Sequence, residues 1–269
     1  MDILVTGILI ILSLAALFPF YWMISNSFKT EFEAFQYPPT LIPHEFIIEN
    51  YRSITNDLPF VLFFFNSIKI STLGVLGQLF TSSLAAYAFA RLKFPGRDKL
   101  FLVVLGTMMV PTIVTIIPLY ILVLNLNWVN THYPLTLPAV LGSSFGTFLL
   151  RQYMLSLPAE LEDAARIDGC NTFQIYYLIA LPLMKPALAT LGVFAFLDLW
   201  NDFFGPLIFL DRIEMYTVQL GVNLARGQWH TDVPRLMAGS VLITIPMLLV
   251  FIFCQRYFVQ GISLTGIKG

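Results

Sequence analysis

Six apolar runs dominate the chain, at 4–26, 61–90, 100–124, 134–153, 187–210 and 235–258. Each is long enough to cross a hydrocarbon layer, which takes about 20 helical residues. The pattern predicts an all-α integral membrane protein with six transmembrane helices forming one domain over 1–269. The fourth run is the most interrupted, by Pro138 and Gly142 with Ser143 and Ser144 beside them. Omitting it would place two basic blocks on opposite faces of the membrane. One block is Arg91, Lys93, Arg97 and Lys99, after the second run; the other is Arg151, Arg166 and Lys185, around the loop after the fourth. Basic residues mark cytosolic loops, so both loops, both termini and the tail 259–269 are expected in the cytosol of a multi-pass cell (inner) membrane protein. Three external segments remain, 28–60 with Pro38, Pro39 and Pro43, then 125–133 and 211–234. The first run is too long for a cleaved signal peptide and lacks a small-residue cleavage site. Pro111, Pro118, Pro138, Pro206 and Pro246 interrupt several runs, as helices lining a water-filled path tolerate.

Composition agrees with the pattern. Hydrophobic residues make up 57% and charged ones 12% of the chain, with a mean hydropathy of +0.77, whereas soluble domains carry about 25% charged residues. A net charge of −1 gives no basic face for a nucleic acid. Cys170 and Cys254 are far apart in sequence and imply neither a disulfide framework nor a metal site. His44, His132 and His230 fall in external loops without metal-ligand spacing, and are expected to be solvated.

The segment 156–186 is the one polar, helix-forming island. Pro158 suits a first turn; Glu160, Glu162 and Asp163 crowd the positive end of the helix; Gly169 supplies a left-handed stop. Leu161, Ala164, Ala165 and Asp168 recur at helical spacing, a stripe of mainly small side chains that another protein can approach closely. With so few large apolar residues, an amphipathic helix lying on the membrane is the weaker alternative. Together with Ile179-Ala180-Leu181-Pro182, the segment resembles the EAA loop of ABC-importer permeases, with Asp163 where that family usually has Glu. By this resemblance Glu162, Asp163, Ala164, Ala165, Asp168, Gly169, Cys170 and Pro182 form a cytosolic coupling helix and its flank, docked on an ATPase subunit. The likeness extends through Phe18-Pro19-Phe20 with Ser27-Phe28-Lys29, Asn66-Ser67, Ala85 to Arg91, Phe94-Pro95-Gly96, Val110-Pro111, Pro118-Leu119-Tyr120, Phe148 to Gln152, Trp200-Asn201-Asp202, Pro206-Leu207 and the ending Gly261 to Gly269. These are similar to the carbohydrate-type permeases, and most of all to the MalG-type subunit. The resemblance implies a MetI-like, type I importer fold. Its partners would be a second, MalF-like permease, two ATPase subunits that bind ATP and Mg, an extracellular solute-binding protein, and membrane lipid. The solute would be a sugar or oligosaccharide, with a glycerol phosphate as the alternative.

No catalytic residue or cofactor site is expected in this chain itself. Gly261 to Lys268 imitates half a phosphate-binding loop, but a Walker motif needs Lys and then Ser or Thr directly after its second glycine. In MalG-like relatives such a tail, here Thr265, Gly266 and Lys268, reaches the ATPase subunits. Asp198 and Asp202 are spaced to share one face of the fifth run, and intramembrane carboxylates face the bundle interior or water. Trp200, Asn201 and Asp202 are candidates for the solute path, since amides and carboxylates bind sugar hydroxyls and aromatic faces bind their C–H surfaces; interhelical bonding is the alternative. In the loop 225–231, Gly227, Gln228 and Trp229 are candidates for a scoop that enters the binding protein's cleft, as in MalG-type relatives. Lys69 is expected to snorkel to the outer interface. Met108, Met109 and the phenylalanines at 63–65 are expected to pack or face lipid. An ion-coupled secondary transporter would not need the docking helix, and two carboxylates on adjacent turns of one helix make a poor acid–base pair for a membrane enzyme.

Overall fold

The computed structural model describes residues 2–225 and 232–265, and among them every regular element is helical. Helices are what such a sequence must form in lipid, where each backbone N–H and C=O has to be satisfied within its own segment. Four helices are long and apolar enough to span a membrane, Ile3–Ser27, Phe60–Arg91, Tyr133–Leu155 and Val233–Gln255. Two bent pairs raise the number to six if each pair makes one span: Arg97–Thr107 with Thr112–Asn125, bent by 95°, and Thr172–Leu183 with Lys185–Asn201, bent by 75°. The breaks have local causes. Pro111 lacks an N–H and holds extended geometry ahead of Thr112, and Pro182 and Pro186 flank the turn at Met184. Gly142 interrupts the span Tyr133–Leu155, and the Ser143 hydroxyl accepts from the Gly146 N–H at 3.0 Å to start its second half.

The chain divides into two compact units. The first comprises 1–66 and 216–248. In it Ile54 is fully buried, the Asn66 amide donates to the Tyr216 carbonyl at 3.0 Å, and Arg235 pairs with Asp57 at 3.0 Å while donating to the Ser53 carbonyl. The 28–60 segment in the same unit is organised around a charge. Lys29 is 1% exposed; its Nζ donates to the Thr40 carbonyl at 2.6 Å and to Asn26 Oδ1 at 3.2 Å, and lies 4.6 Å from the centre of the Trp22 ring. Burial pushes the ammonium below its ordinary pKa, with Glu33 opposing the shift. Glu33 is itself buried, and burial alone would raise its pKa. Hydrogen bonds from the His44 N–H, the Thr40 hydroxyl and the His44 ring outweigh that and hold the carboxyl below its usual value.

The second unit comprises 67–215 and 249–269. Its 125–133 and 211–215 loops are joined by Asn130, whose Oδ1 accepts from the Asp211 and Arg212 N–H groups. His132 corrects an expectation. It is half-buried rather than solvated, with Nε2 2.9 Å from the Met215 carbonyl, and burial lowers its pKa. The last helix, Val233–Thr265, continues through the first part of the expected tail, so the backbone at 259–265 is helical rather than a loose glycine-rich end; Gly266 and Lys268 lie outside the described residues. The fifth run also departs from expectation. Helix Lys185–Asn201 stops before Asp202, which takes extended geometry (φ −63°, ψ 119°), and Phe204–Phe209 follows as a separate helix. Asp202 caps helix Lys185–Asn201 one turn beyond Asp198 and lines one cavity with it, and its extended backbone turns the chain away after it.

Candidate functional site: a docked loop helix and a polar intramembrane cavity

Helix Glu160–Ile167 carries Glu160, Glu162 and Asp163 in its first turn and Arg166 in its last, both favourable to the helix dipole. It ends in a tightly specified turn. The Cys170 N–H donates to the Ala165 carbonyl at 2.9 Å and the Gly169 N–H to the Arg166 carbonyl at 3.1 Å, the paired bonds of a Schellman cap. Gly169 sits at φ +87° in the left-handed position that this cap requires. The next residue but one begins a new helix: Asn171 Oδ1 accepts from the Gln174 N–H at 2.9 Å, and Gln174 Oε1 accepts from the Asn171 N–H at 2.8 Å, a reciprocal capping box.

The loop helix is fixed from below by two of its residues. Ala165 packs in a buried cluster with Tyr87, Met154, Ile175, Tyr176, Ala180 and Met184, and Cys170 packs against its edge. Tyr176 ties this cluster to helix Phe60–Arg91 through a 2.8 Å bond between its hydroxyl and that of Ser83. Glu162, 5% exposed, faces Arg91, with Oε1 2.8 Å from Arg91 Nε. Arg91 at the same time donates from Nη2 to the carbonyls of Met154 and Leu157, at 2.9 and 2.8 Å. One guanidinium thus joins the end of helix Phe60–Arg91, the end of helix Ser144–Leu155 and the loop helix. By contrast, Asp163 meets Arg166 at 2.7 Å with both side chains more than half exposed.

The expected docking stripe is divided by this geometry. Ala165 and Glu162 face the protein's own core; Leu161, Asp163, Ala164, Asp168, Gly169 and Pro182 are exposed, and Cys170 is half-buried. Ile167, which the sequence reading passed over, is the most exposed apolar side chain of the helix at 87%. Arg91 marks membrane sidedness and ends the Ala85 to Arg91 segment, but its pairing with Glu162 spans 71 positions of sequence, and nothing local signals it.

A second feature lies among the membrane helices of the same unit, a cavity of about 680 Å³ whose polar lining comprises Gln78, Thr112, Thr115, Ser143, Asp198 and Asp202. Asp202 reaches it from the break after Asn201, where its Oδ1 also accepts from the Gly205 N–H at 3.0 Å and starts helix Phe204–Phe209. Trp200 does not line this cavity. It is 1% exposed and stacks on Phe196 with centroids 5.4 Å apart, so it serves packing. Asn201 is exposed, and its side chain donates back to the Leu197 carbonyl at 2.9 Å. Gln78, Thr112 and Thr115 were not singled out from sequence, because a lone amide or hydroxyl in an apolar run carries no periodic signal. Gly227, Gln228, Trp229 and His230 lie outside the described residues. Among the described residues no group of three or more His, Cys, Asp or Glu side chains could hold a metal ion.

A bundle of broken spans with a loop helix anchored at one end is the architecture of an importer's membrane subunit. The chain belongs to the family described as the binding-protein-dependent transport system inner membrane component, which it matches over residues 78–264, and is the transmembrane permease subunit of an ABC importer. It is 38% identical to the arabinooligosaccharides transport system permease protein AraQ of Halalkalibacterium halodurans, over 94% of this chain and 92% of that one. To the sn-glycerol-3-phosphate transport system permease protein UgpE of Pectobacterium atrosepticum it is 35% identical, over 97% and 96%. Among solved structures it is similar to a bacterial ABC transporter involved in the import of the acidic polysaccharide alginate, with a TM-score of 0.84, 25% identity and 96% of both chains covered.

Proposed function

We propose that this subunit carries a neutral sugar or oligosaccharide into the cytoplasm, paired with a second permease, driven by two ATPase subunits that bind ATP and Mg, and supplied by an extracellular binding protein. The chain itself is non-catalytic, and both of its termini are cytoplasmic. The observation that carries the coupling part is the loop helix. Its inner face is locked by Arg91, Glu162 and Ala165, while Leu161, Asp163, Ala164, Ile167 and Asp168 are left outward. A rigidly backed, exposed helix transmits movement; a loose one would absorb it. The described helix end at Thr265 supports a tail that extends toward the ATPase subunits, and Gly227, Gln228 and Trp229 are proposed as the scoop.

The solute class follows from the cavity. Asp198 and Asp202 line it together with an amide and three hydroxyls, and among the described residues no lysine or arginine does. Carboxylates accept hydrogen bonds from sugar hydroxyls and repel phosphates and uronates, so this chain's share of the path favours a neutral solute over the glycerol phosphate alternative. The test is Asp198→Asn in the reconstituted importer. Uptake of the neutral solute should fall through a raised half-saturation concentration, while solute-independent ATP hydrolysis stays unchanged. Unaltered uptake would remove Asp198 from the path.

A further inference from the structure

Helix Phe60–Arg91 carries a cation at each end of a membrane-length interval. Lys69 and Arg91 are separated by roughly 33 Å at 1.5 Å per residue, close to the hydrocarbon thickness of about 30 Å. With Arg91 at the loop-helix side, Lys69 lies at the opposite boundary. There it opens onto a crevice of about 740 Å³ between this helix and Tyr133–Leu141, within the roughly 300–1,000 Å³ typical of small-molecule sites.

Both walls change character in the same direction. Lys69 gives way to Leu73 and Leu76 on one helix; Thr131, His132 and Tyr133 give way to Leu137 and Val140 on the other. At its foot the crevice is closed by Gly77, where a Cβ would stand 2.5 Å from a Val140 methyl and 2.9 Å from its Cα, so the two helices are in contact there. The ring of His132 is occupied with the Met215 carbonyl, and its burial disfavours the charged form. That leaves Lys69, exposed and with no carboxylate paired to it among the described residues, as the charge at the mouth. A cation at headgroup depth above an apolar cleft whose Leu73 and Leu76 are exposed is complementary to an anionic head joined to a hydrocarbon tail.

We infer that this crevice binds an anionic phospholipid of the leaflet opposite the loop helix, its headgroup at Lys69 and an acyl chain between Leu73, Leu76, Leu137 and Val140. This rests on the membrane placement but on neither the solute nor the coupling role. The test uses the whole importer in nanodiscs with a phosphatidylglycerol bearing a photoactivatable group in its acyl chain, and locates adducts by mass spectrometry. Adducts should fall on 73–77 and 137–140. They should drop about fivefold in Lys69→Gln, as expected for one surface cation, return in Lys69→Arg, and resist competition by phosphatidylcholine. Equal labelling in Lys69→Gln, or equal competition by phosphatidylcholine, would overturn the inference. So would displacement by excess inorganic phosphate, which would mark an ion site without a tail, or a disulfide from Leu137→Cys to the second permease, which would show protein filling the crevice. ATP hydrolysis stimulated by the binding protein in the same nanodisc preparation keeps a failure here distinct from a failure of the functional proposal.

Discussion

Glu162→Gln keeps the volume of the side chain and removes its charge, leaving the Arg91 guanidinium buried against an amide. The two side chains are 12% and 7% exposed, and breaking a buried ion pair by removing one partner costs about 3–5 kcal/mol. Arg91 retains its bonds to the Met154 and Leu157 carbonyls, so the lower figure applies, and most of the loss falls on the contact that holds the loop helix down. At about 1.4 kcal/mol per decade, the undocked population should rise roughly 100-fold. The amides of Asp168 and Cys170, bonded to the Ala164 and Ala165 carbonyls, report this directly. In the assembled importer their hydrogen exchange should speed up by about two orders of magnitude, with ATP hydrolysis persisting and uptake falling. Asp163→Ala removes only an exposed pair, typically about 0.2–1 kcal/mol, and should change the same amides by less than about fivefold. Equal exchange in the two variants would refute the claim that the Arg91–Glu162 pair is what anchors the helix.

Gly169→Val has open space around it, so its cost is that of the left-handed backbone alone, roughly 1–2 kcal/mol; the variant should reach the membrane at normal levels but lose uptake, and undiminished uptake would show that the turn is dispensable. Ile167→Cys should react quickly with an impermeant cytosolic thiol reagent in the free permease and be protected by the ATPase, whereas the half-buried Cys170 should react more slowly in both states; labelling of either from outside would contradict the topology. The folded pKa of Glu33 lies below its unfolded value, so its stabilisation of the 28–47 segment is fully present above about pH 4.3 and is lost as pH falls through the lower, folded value. Proteolysis within 38–46 should therefore be flat from pH 5 to 8 and rise in acid, and Glu33→Gln should raise it at neutral pH; cleavage insensitive to both would refute that role.

Much of the fold is legible in the chain because lipid leaves a membrane helix few alternatives: apolar length announces helices, and glycine and proline announce their breaks. Gly169 was readable for the same reason, since few other residues suit a left-handed stop. What escaped depended on distance or on termini. The Arg91–Glu162 pair joins segments with no sequence relation, and nothing local to Lys29 tells that Thr40 and Trp22 close over it. The break after Asn201 escaped because hydropathy runs straight through it, while the pairing of Asp198 with Asp202 on one cavity was legible from their spacing. In the loop helix, spacing identifies a face but cannot say whether the protein's own core already covers it, as it does Ala165 and Glu162.

The central claim is ATP-driven import of a neutral sugar through this subunit. The most direct measurement is uptake into vesicles holding the complete importer, with binding protein outside and ATP either enclosed or omitted, over neutral oligosaccharides, uronate oligomers and glycerol phosphate. A neutral sugar should accumulate only with both ATP and binding protein, and Gly169→Val should abolish that accumulation. Accumulation driven by an ion gradient without ATP, or preferential uptake of the anionic solutes, would contradict it.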